Sequence, residues 1–337
     1  MIRVTAPGRA GMIGNPTDGY GGTMIACAVK NRAYAEIEES NPLIVENNSG
    51  KRSLIWRNDF DNKGDSYDIV RSVLRYYRLY DLKAHIRFGS EVPVQAGLAG
   101  STALLSAIQS AVLIFIGVKR HPYRLAELNR IIELNYMKCQ CGYQDAYMTT
   151  FGGLNYLDFR GKEYYKELDK EIYATVEPLG SYVDELPFVV AHTGIRHDSG
   201  DFHRPLRERW LEGDISVVQG YREIAQLARE GKKALLSRNW DELAFLMNKN
   251  HEIQDSLCDS GGQNNAMIRV AKENGALAAK LAGAGGGGTV IALTLDPQRT
   301  MDALKRAGAE QFVELDPAGQ GITVEIGKAE KIQSGVR

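Results

Sequence analysis

The chain has 337 residues, 44% hydrophobic and 25% charged, with a formal net charge of −1; it is long enough for a large core, and for two lobes rather than one. That balance offers no basic face for nucleic acid or an anionic membrane surface, and no apolar run nears bilayer-spanning length, "AVLIFIGV" being far too short. The N-terminal "MIRVTAPGRAG" lacks the apolar core of a signal peptide, and Cys27, Cys139, Cys141 and Cys258 are too few and scattered for a disulfide framework, so a cytoplasmic protein is expected.

In chain order, the first feature is "APGRAGMIGNPTDGYGG" (6–22), rich in glycine and carrying a cation, Arg9, and a carboxylate, Asp18. "RAYAEIEES" alternates as a strand does, and after a turn at Asn41-Pro42 come "LIVEN" and "RSLIW", a meander. "YDIVRSVLRYYRLYDL" places Ile69, Val70, Val73, Leu74 and Tyr77 on one side, which predicts a helix over 67–82. "LKAHIRF" is strand-like and runs into "PVQAGLAGSTALLSAIQSAVL" (93–113), a glycine-broken loop feeding a long helix. "YRLAELNRIIELNYM" predicts another helix just after Pro122, and "LPFVVAHTG" a strand that breaks into a polar loop. Residues 216–273 have mostly helical spacing, and "TVIALTL", "QFVEL" and "GITVEI" read as closing strands. Strands and helices mix without strict alternation, which argues for α+β layers, with a lobe boundary near 155–190.

The loop before the 100s helix raises the functional question. Ser and Thr cap helices and glycines mark turns, so a Gly/Ser-rich helix start is compatible with capping alone. It is equally a place where unpaired N–H groups and the positive helix end could face a phosphate. No Gly-Lys-Ser/Thr follows, so the loop is not a Walker A sequence. A third glycine-rich element, "LAGAGGGGTVIAL" (281–293), places Gly285–Gly288 directly before a strand. Ordering that much glycine is entropically costly, which favours backbone pressed against a ligand over a mere turn. Together the three elements fit the walls of one phosphate-bearing cleft.

These segments resemble, in order, the three motifs of the GHMP kinase superfamily: Pro7-Gly8-Arg9, the Pro93–Ala103 loop, and Leu281–Thr289. The resemblance covers essentially the whole chain. "MIGNPTDGYGG", "GLAGSTALLSAI", "GYQDAYMTTFGGLNYLDF" and "DSGDFHRPLRERWLEGD" are similar to the glucuronokinase type of sugar 1-kinase, with heptose 7-phosphate 1-kinases as near relatives. Galactokinases carry Gly-Glu-His where this chain has Gly14-Asn15-Pro16, which counts against galactose. The resemblance implies a two-lobed α+β fold: an N-terminal lobe (1–180) like ribosomal protein S5 domain 2 and a ferredoxin-like C-terminal lobe (181–337). It implies ATP and Mg²⁺ as cofactors and a small-molecule sugar as substrate, with no nucleic-acid or membrane partner.

By the same resemblance, Pro93, Gly97, Leu98, Ala99, Gly100, Ser101, Thr102, Gly285 and Gly286 hold ATP, and Thr102 with Glu133 holds the metal. Asp145 is the expected base for the acceptor hydroxyl, with Arg9 beside it to stabilise the moving phosphoryl group. Asn15, Asp18 and Tyr20 match the region that grips sugar hydroxyls. A uronic acid needs a cation for its own carboxylate, and "GIRHDSGDFHRPLRERW" supplies Arg196 and Arg204. His192, His197 and His203 lack the carboxylate–His pattern of a zinc site and read as part of a polar loop. The leading expectation is phosphorylation of the anomeric hydroxyl of D-glucuronate. The alternatives are a heptose or heptose-phosphate kinase, or a non-catalytic sensor on the same fold.

Overall fold

The computed structural model describes residues 1–93, 95–162, 170–183, 185–194, 199–258, 260–283 and 288–327, with side chains omitted for 199–204. The chain opens with β1 (Ile2–Ile13) and the long β2 (Thr23–Glu39), which pair antiparallel. β3 (Leu43–Asn47), β4 (Gly50–Leu54), α1 (Asp68–Tyr77), β5 (Ala84–Ser90) and α2 (Gly100–Phe115) follow. Then come α3 (Pro122–Ile132), α4 (Gln144–Phe151), β6 (Leu154–Asp158) and β7 (Thr175–Pro178). The first sheet runs β1-β2-β5-β3-β4, with β6 and β7 extending it beside the N-terminal half of β2. α2 is buried on nearly every side, and Leu105, Ile108 and Val112 pack into one core with Val4, Ile37, Val73 and Ile86. An apolar helix of this kind gains about 1.5–3 kcal/mol for each large aliphatic side chain it buries.

The second sheet is antiparallel. β8 (Phe188–His192) is followed by α5 (Ser199–Leu211), α6 (Ile215–Leu236), α7 (Trp240–Leu257) and α8 (Gly262–Glu273), then β9 (Ala276–Leu281), β10 (Thr289–Thr294), α9 (Pro297–Arg306) and β11 (Gln311–Val313). Its strand order is β11-β8-β10-β9. α8 and α9 cover one face through Met267, Ile268, Ala271 and Leu304. β12 (Thr323–Ile326) returns to the first sheet and pairs with β1. One apolar core joins the two sheets, with Ile13, Ile25 and Val29 of the first packed among Leu243 and Met247 of α7 and Ile291 of the second. The architecture is the expected α+β fold. Among the described residues no helix is long and apolar enough to cross a membrane.

Three local departures from the sequence reading bear on the site. The opening glycine-rich segment is regular strand as far as Ile13, with its ladder interrupted between Pro7 and Arg9 and again between Gly11 and Ile13. Proline offers no ladder N–H, so the first irregularity falls where the chemistry demands it. α1 ends at Tyr77 because Arg78 turns left-handed at φ 56° and Leu79 N–H closes back onto Leu74 O at 2.9 Å. The helix predicted over 123–137 is regular only to Ile132; Glu133–Met137 widens into a π-helical turn.

Candidate functional site

Strand β1 binds the other two glycine-rich segments through its backbone. Arg9 N–H donates to Leu98 O at 3.0 Å, and Gly11 N–H donates to Ala282 O at 2.8 Å. A Cβ on Gly8 would sit 2.7 Å from Leu98 O, and one on Gly11 2.8 Å from Ala282 O. Those two glycines are therefore required by chain approach. Thr289 Oγ1 donates to Ala96 O at 2.6 Å, closing the ring of segments. They enclose a cavity of about 540 Å³ lined by Arg9, Asn15, Asp18, Thr102, Glu133 and Asp145 together with Gly97, Ala99, Gly100 and Ser101.

The N-terminus of α2 opens into this cavity. Its N-cap residue, Ala99, is left-handed at φ 60° and contributes no side-chain cap. The first-turn N–H groups are thus offered to whatever enters, together with the positive end of the helix dipole, which suits a phosphate. Thr102 Oγ1, one turn in, donates to Glu133 Oε1 at 2.6 Å. The π-helical turn begins at Glu133, whose backbone oxygen accepts from Cys139 N–H at 2.9 Å. Glu133 Oε2 is buried with no hydrogen-bond partner of standard geometry, and the Cys141 thiol lies against the same carboxylate. Burial pushes this carboxyl up to about 7; Asp145 adds to the rise, while Thr102, Cys141 and Arg130 oppose it. A buried carboxylate with one oxygen free of any standard hydrogen bond, beside a hydroxyl and an uncapped helix end, fits a phosphate-bound Mg²⁺.

Opposite stands the pair Arg9 and Asp145. Arg9 Nε donates to Asp145 Oδ1 at 2.8 Å, and a second guanidinium nitrogen lies 2.5 Å from the same oxygen. Arg9 also donates to Gly97 O, so one buried cation ties the carboxylate to the glycine-rich segment before α2. Asp145 lies in the first turn of α4, whose N-terminal amides are capped from a distance: Asp18 Oδ2 accepts from Tyr143 N–H at 2.6 Å and Gln144 N–H at 2.8 Å. Asn15 is buried, donates through Nδ2 to Gly283 O at 2.5 Å and accepts from Lys280 Nζ at 2.7 Å. The far end of the glycine run is held at Gly288, whose oxygen accepts from Thr193 N–H at 2.6 Å and lies 3.0 Å from His192 Nδ1.

Family models then decide the affiliation. The model described as GHMP kinases N terminal domain matches residues 67–153, and that described as GHMP kinases C terminal matches residues 232–314. The chain belongs to the GHMP kinase family. It is accordingly a phosphotransferase that uses ATP and an alcohol acceptor. It is similar to Glucuronokinase 1 of Arabidopsis thaliana, 30% identical over 82% of this chain and 81% of that protein. It is also similar to the mevalonate kinase of Pyrococcus horikoshii, 29% identical over 91% and 93% of the two chains. The crystal structure of Lactococcus lactis galactokinase complexed with galactose shares the fold at a TM-score of 0.80 and 17% identity, covering 96% of this chain and 95% of that one.

Within this GHMP kinase the expected residues are not all in one place. Arg9, Asn15, Asp18, Gly97, Ala99, Gly100, Ser101, Thr102, Glu133 and Asp145 share the cavity. Leu98 is buried and meets β1 through its backbone oxygen. The Pro93 oxygen backs the start of α2, 3.4 Å from where a Gly100 Cβ would be. Tyr20 is not among the cavity-lining residues; its ring packs on Trp210 and Tyr221 at 5.3 and 4.5 Å. Arg196, Gly285 and Gly286 lie outside the described residues, and Arg204 is placed in α5 by its backbone alone.

Sequence reasoning passed over Lys280. It is fully buried on β9, donates to Asn15 Oδ1 and Leu281 O, and is pushed down to about 7 by burial and by the charge of Arg9. Its signal was legible as the lone charge in "GALAAKLAG". Also missed was the buried group behind α4. There Lys162 Nζ lies 2.9 Å from Glu127 and 3.3 Å from Glu171, while Tyr143 and Tyr147 donate to those same two carboxylates.

Proposed function

We propose that this GHMP kinase is an ATP- and Mg²⁺-dependent sugar 1-kinase that transfers the γ-phosphoryl group to the anomeric hydroxyl of D-glucuronate. The observation that carries the chemistry is the meeting, in one cavity, of the Arg9–Asp145 pair with the Glu133–Thr102 pair at the uncapped N-terminus of α2. The choice of sugar is supported by the likeness to Glucuronokinase 1 over four-fifths of both chains.

In this reading the amides of Gly97–Thr102, with Pro93 behind them, bind the triphosphate, and Gly285 and Gly286 are assigned to the same ligand. Glu133 and Thr102 would hold Mg²⁺, which supplies neutralisation of charge on the phosphate oxygens. Asp145 accepts the proton of the acceptor hydroxyl as the new O–P bond forms and the bond from the γ-phosphorus to the leaving ADP oxygen breaks. Arg9 keeps that carboxylate aimed and adds positive charge where the phosphoryl group passes. Asn15 and Asp18, which line the cavity, are assigned to the sugar side, Tyr20 supports that side from the aromatic cluster with Trp210 and Tyr221 rather than from the cavity wall, and Arg196 and Arg204 are assigned to the sugar's carboxylate. The same reading divides the chain into lobes at 1–180 and 181–337.

The test is ATP/Mg²⁺ turnover of the purified protein against D-glucuronate, D-galacturonate, glucose, galactose, mannose, a heptose and mevalonate, with Asp145→Asn alongside. Turnover of glucuronate in preference to the rest, reduced about 10²–10⁴-fold in the variant, is the expected result. Preference for a neutral sugar, a heptose or mevalonate would overturn the uronate assignment while leaving the kinase chemistry in place.

A further inference from the structure

Gly142 immediately precedes Tyr143, Gln144 and Asp145, and its φ lies outside the left-handed region, so its backbone conformation does not call for glycine. What forbids a side chain there is Asp18. A Cβ on Gly142 would lie 1.9 Å from Asp18 Oδ2, 2.5 Å from its Cγ and 2.8 Å from Oδ1. Asp18 has little room to retreat. It sits in a turn in which Thr17 N–H and Oγ1 both donate to Gly14 O, while Tyr20 N–H and Gly22 N–H both donate to Thr17 O. Gly22 is pressed against that turn too, since its Cβ would fall 2.1 Å from Thr17 Oγ1. The carboxylate is 6% exposed and its Oδ2 takes both amides at the start of α4. No side chain within α4's own N-terminal segment caps it.

We propose that Asp18 and Gly142 together form a positioning contact for the base. The carboxylate on the turn after β1 fixes the N-terminus of α4, and the missing side chain at Gly142 is the space through which it reaches. Asp145 is thereby indexed to the strand that carries Arg9. Asp18 Oδ1 makes no hydrogen bond among the described residues and remains for the sugar side of the cavity. One carboxylate thus sets acceptor and base against each other. The inference rests on the reading of Asp145 as the base; the contact itself does not.

The test is a double-mutant cycle of Gly142→Ala and Asp18→Ala, with Asp18→Asn as the conservative variant. Activity is followed with ATP and D-glucuronate, and amide hydrogen exchange at Tyr143 and Gln144 is followed in the same proteins. Displacing the base by about an ångström lowers kcat about 100-fold, and each single variant is expected to show that loss with KM for ATP within twofold of wild type. Adding Gly142→Ala to Asp18→Ala should cost nothing further, because the new Cβ then has no carboxylate to meet. Asp18→Asn keeps an oxygen acceptor for both amides and should recover most of kcat relative to Asp18→Ala. Exchange at the two amides should accelerate in both single Ala variants.

Additive losses, full activity of Gly142→Ala, or unchanged exchange in Asp18→Ala would each overturn the contact. If Gly142→Ala alone fails to fold and the double variant folds, the clash with Asp18 is supported directly. If both fail, the space serves something else and the proposal falls. Lack of turnover in the wild type with any acceptor would overturn the functional reading, while the exchange measurement still decides the contact. Faster exchange with undiminished kcat would leave the contact standing and refute its role in positioning the base.

Discussion

Glu133→Gln is predicted to stabilise the protein free of metal and nucleotide, and to inactivate it. Glu133 is buried, with one oxygen bonded by Thr102 and the other without a standard partner. Raising its pKa from the usual 4.5 to about 7 corresponds to about 3 kcal/mol against the ionised form in the folded state. The sign follows from proton uptake. Below 4.5 the group is protonated in both states and nothing is lost; between 4.5 and about 7 the folded state holds the proton that the unfolded state has released, so stability falls as pH rises. Above about 7 the penalty is fully present. Glutamine keeps the shape, accepts the Thr102 bond and carries no charge. Urea unfolding of both proteins in EDTA should show the stability gap in favour of Gln widening by about 2.5 kcal/mol between pH 5 and pH 8. Added Mg²⁺ with ATP should stabilise the wild type far more than the variant, since the neutral amide is a much weaker ligand for the metal than the carboxylate. A gap independent of pH would refute the argument that this carboxylate is held charged against its environment.

Arg9→Met removes the donors to Asp145 and to Gly97 O; steady-state kinetics should show kcat lower by about 10²–10³, as when a preorganised donor is lost from other active sites. Lys162→Met removes the buried cation between Glu127 and Glu171, of which Glu171 keeps Arg130 at 3.8 Å, and should cost about 3 kcal/mol in urea unfolding, part of it recovered when Glu127→Gln is added. Lys280→Met frees Asn15 and Leu281 O beside the glycine run, so KM for ATP should rise more than kcat falls. The depressed lysine adds a pH signature: its folded-state penalty is fully present below about 7 and absent above 10.5. The wild type should therefore gain stability relative to Lys280→Met as pH rises across that interval.

The elements that were legible in the sequence are those whose residues carry a one-dimensional pattern. α2 announces itself by an apolar run after Gly100, and β10 by "TVIALTL". α9 also had a signal that went unused: Asp296 caps it by accepting from Arg299 N–H, and Pro297 occupies its first turn. What the pattern could not carry is pairwise. Gly8 and Gly11 resemble loop glycines until Leu98 O and Ala282 O are set against them, and β1 is a strand because those partners and β2 supply its ladder. Asn15 and Asp18 show the same limit from the side of function. Motif position alone assigns both to substrate, yet Asn15 is occupied by Lys280 and Gly283 O, and one oxygen of Asp18 by the amides of α4. A residue in a motif can bind a ligand, or hold in place the group that acts on it, and sequence spacing is the same for both. The two differ in the partner already present. For Asp18 that partner lies 125 residues away at Tyr143, and the only trace it leaves in the chain is a glycine at 142 that no turn requires.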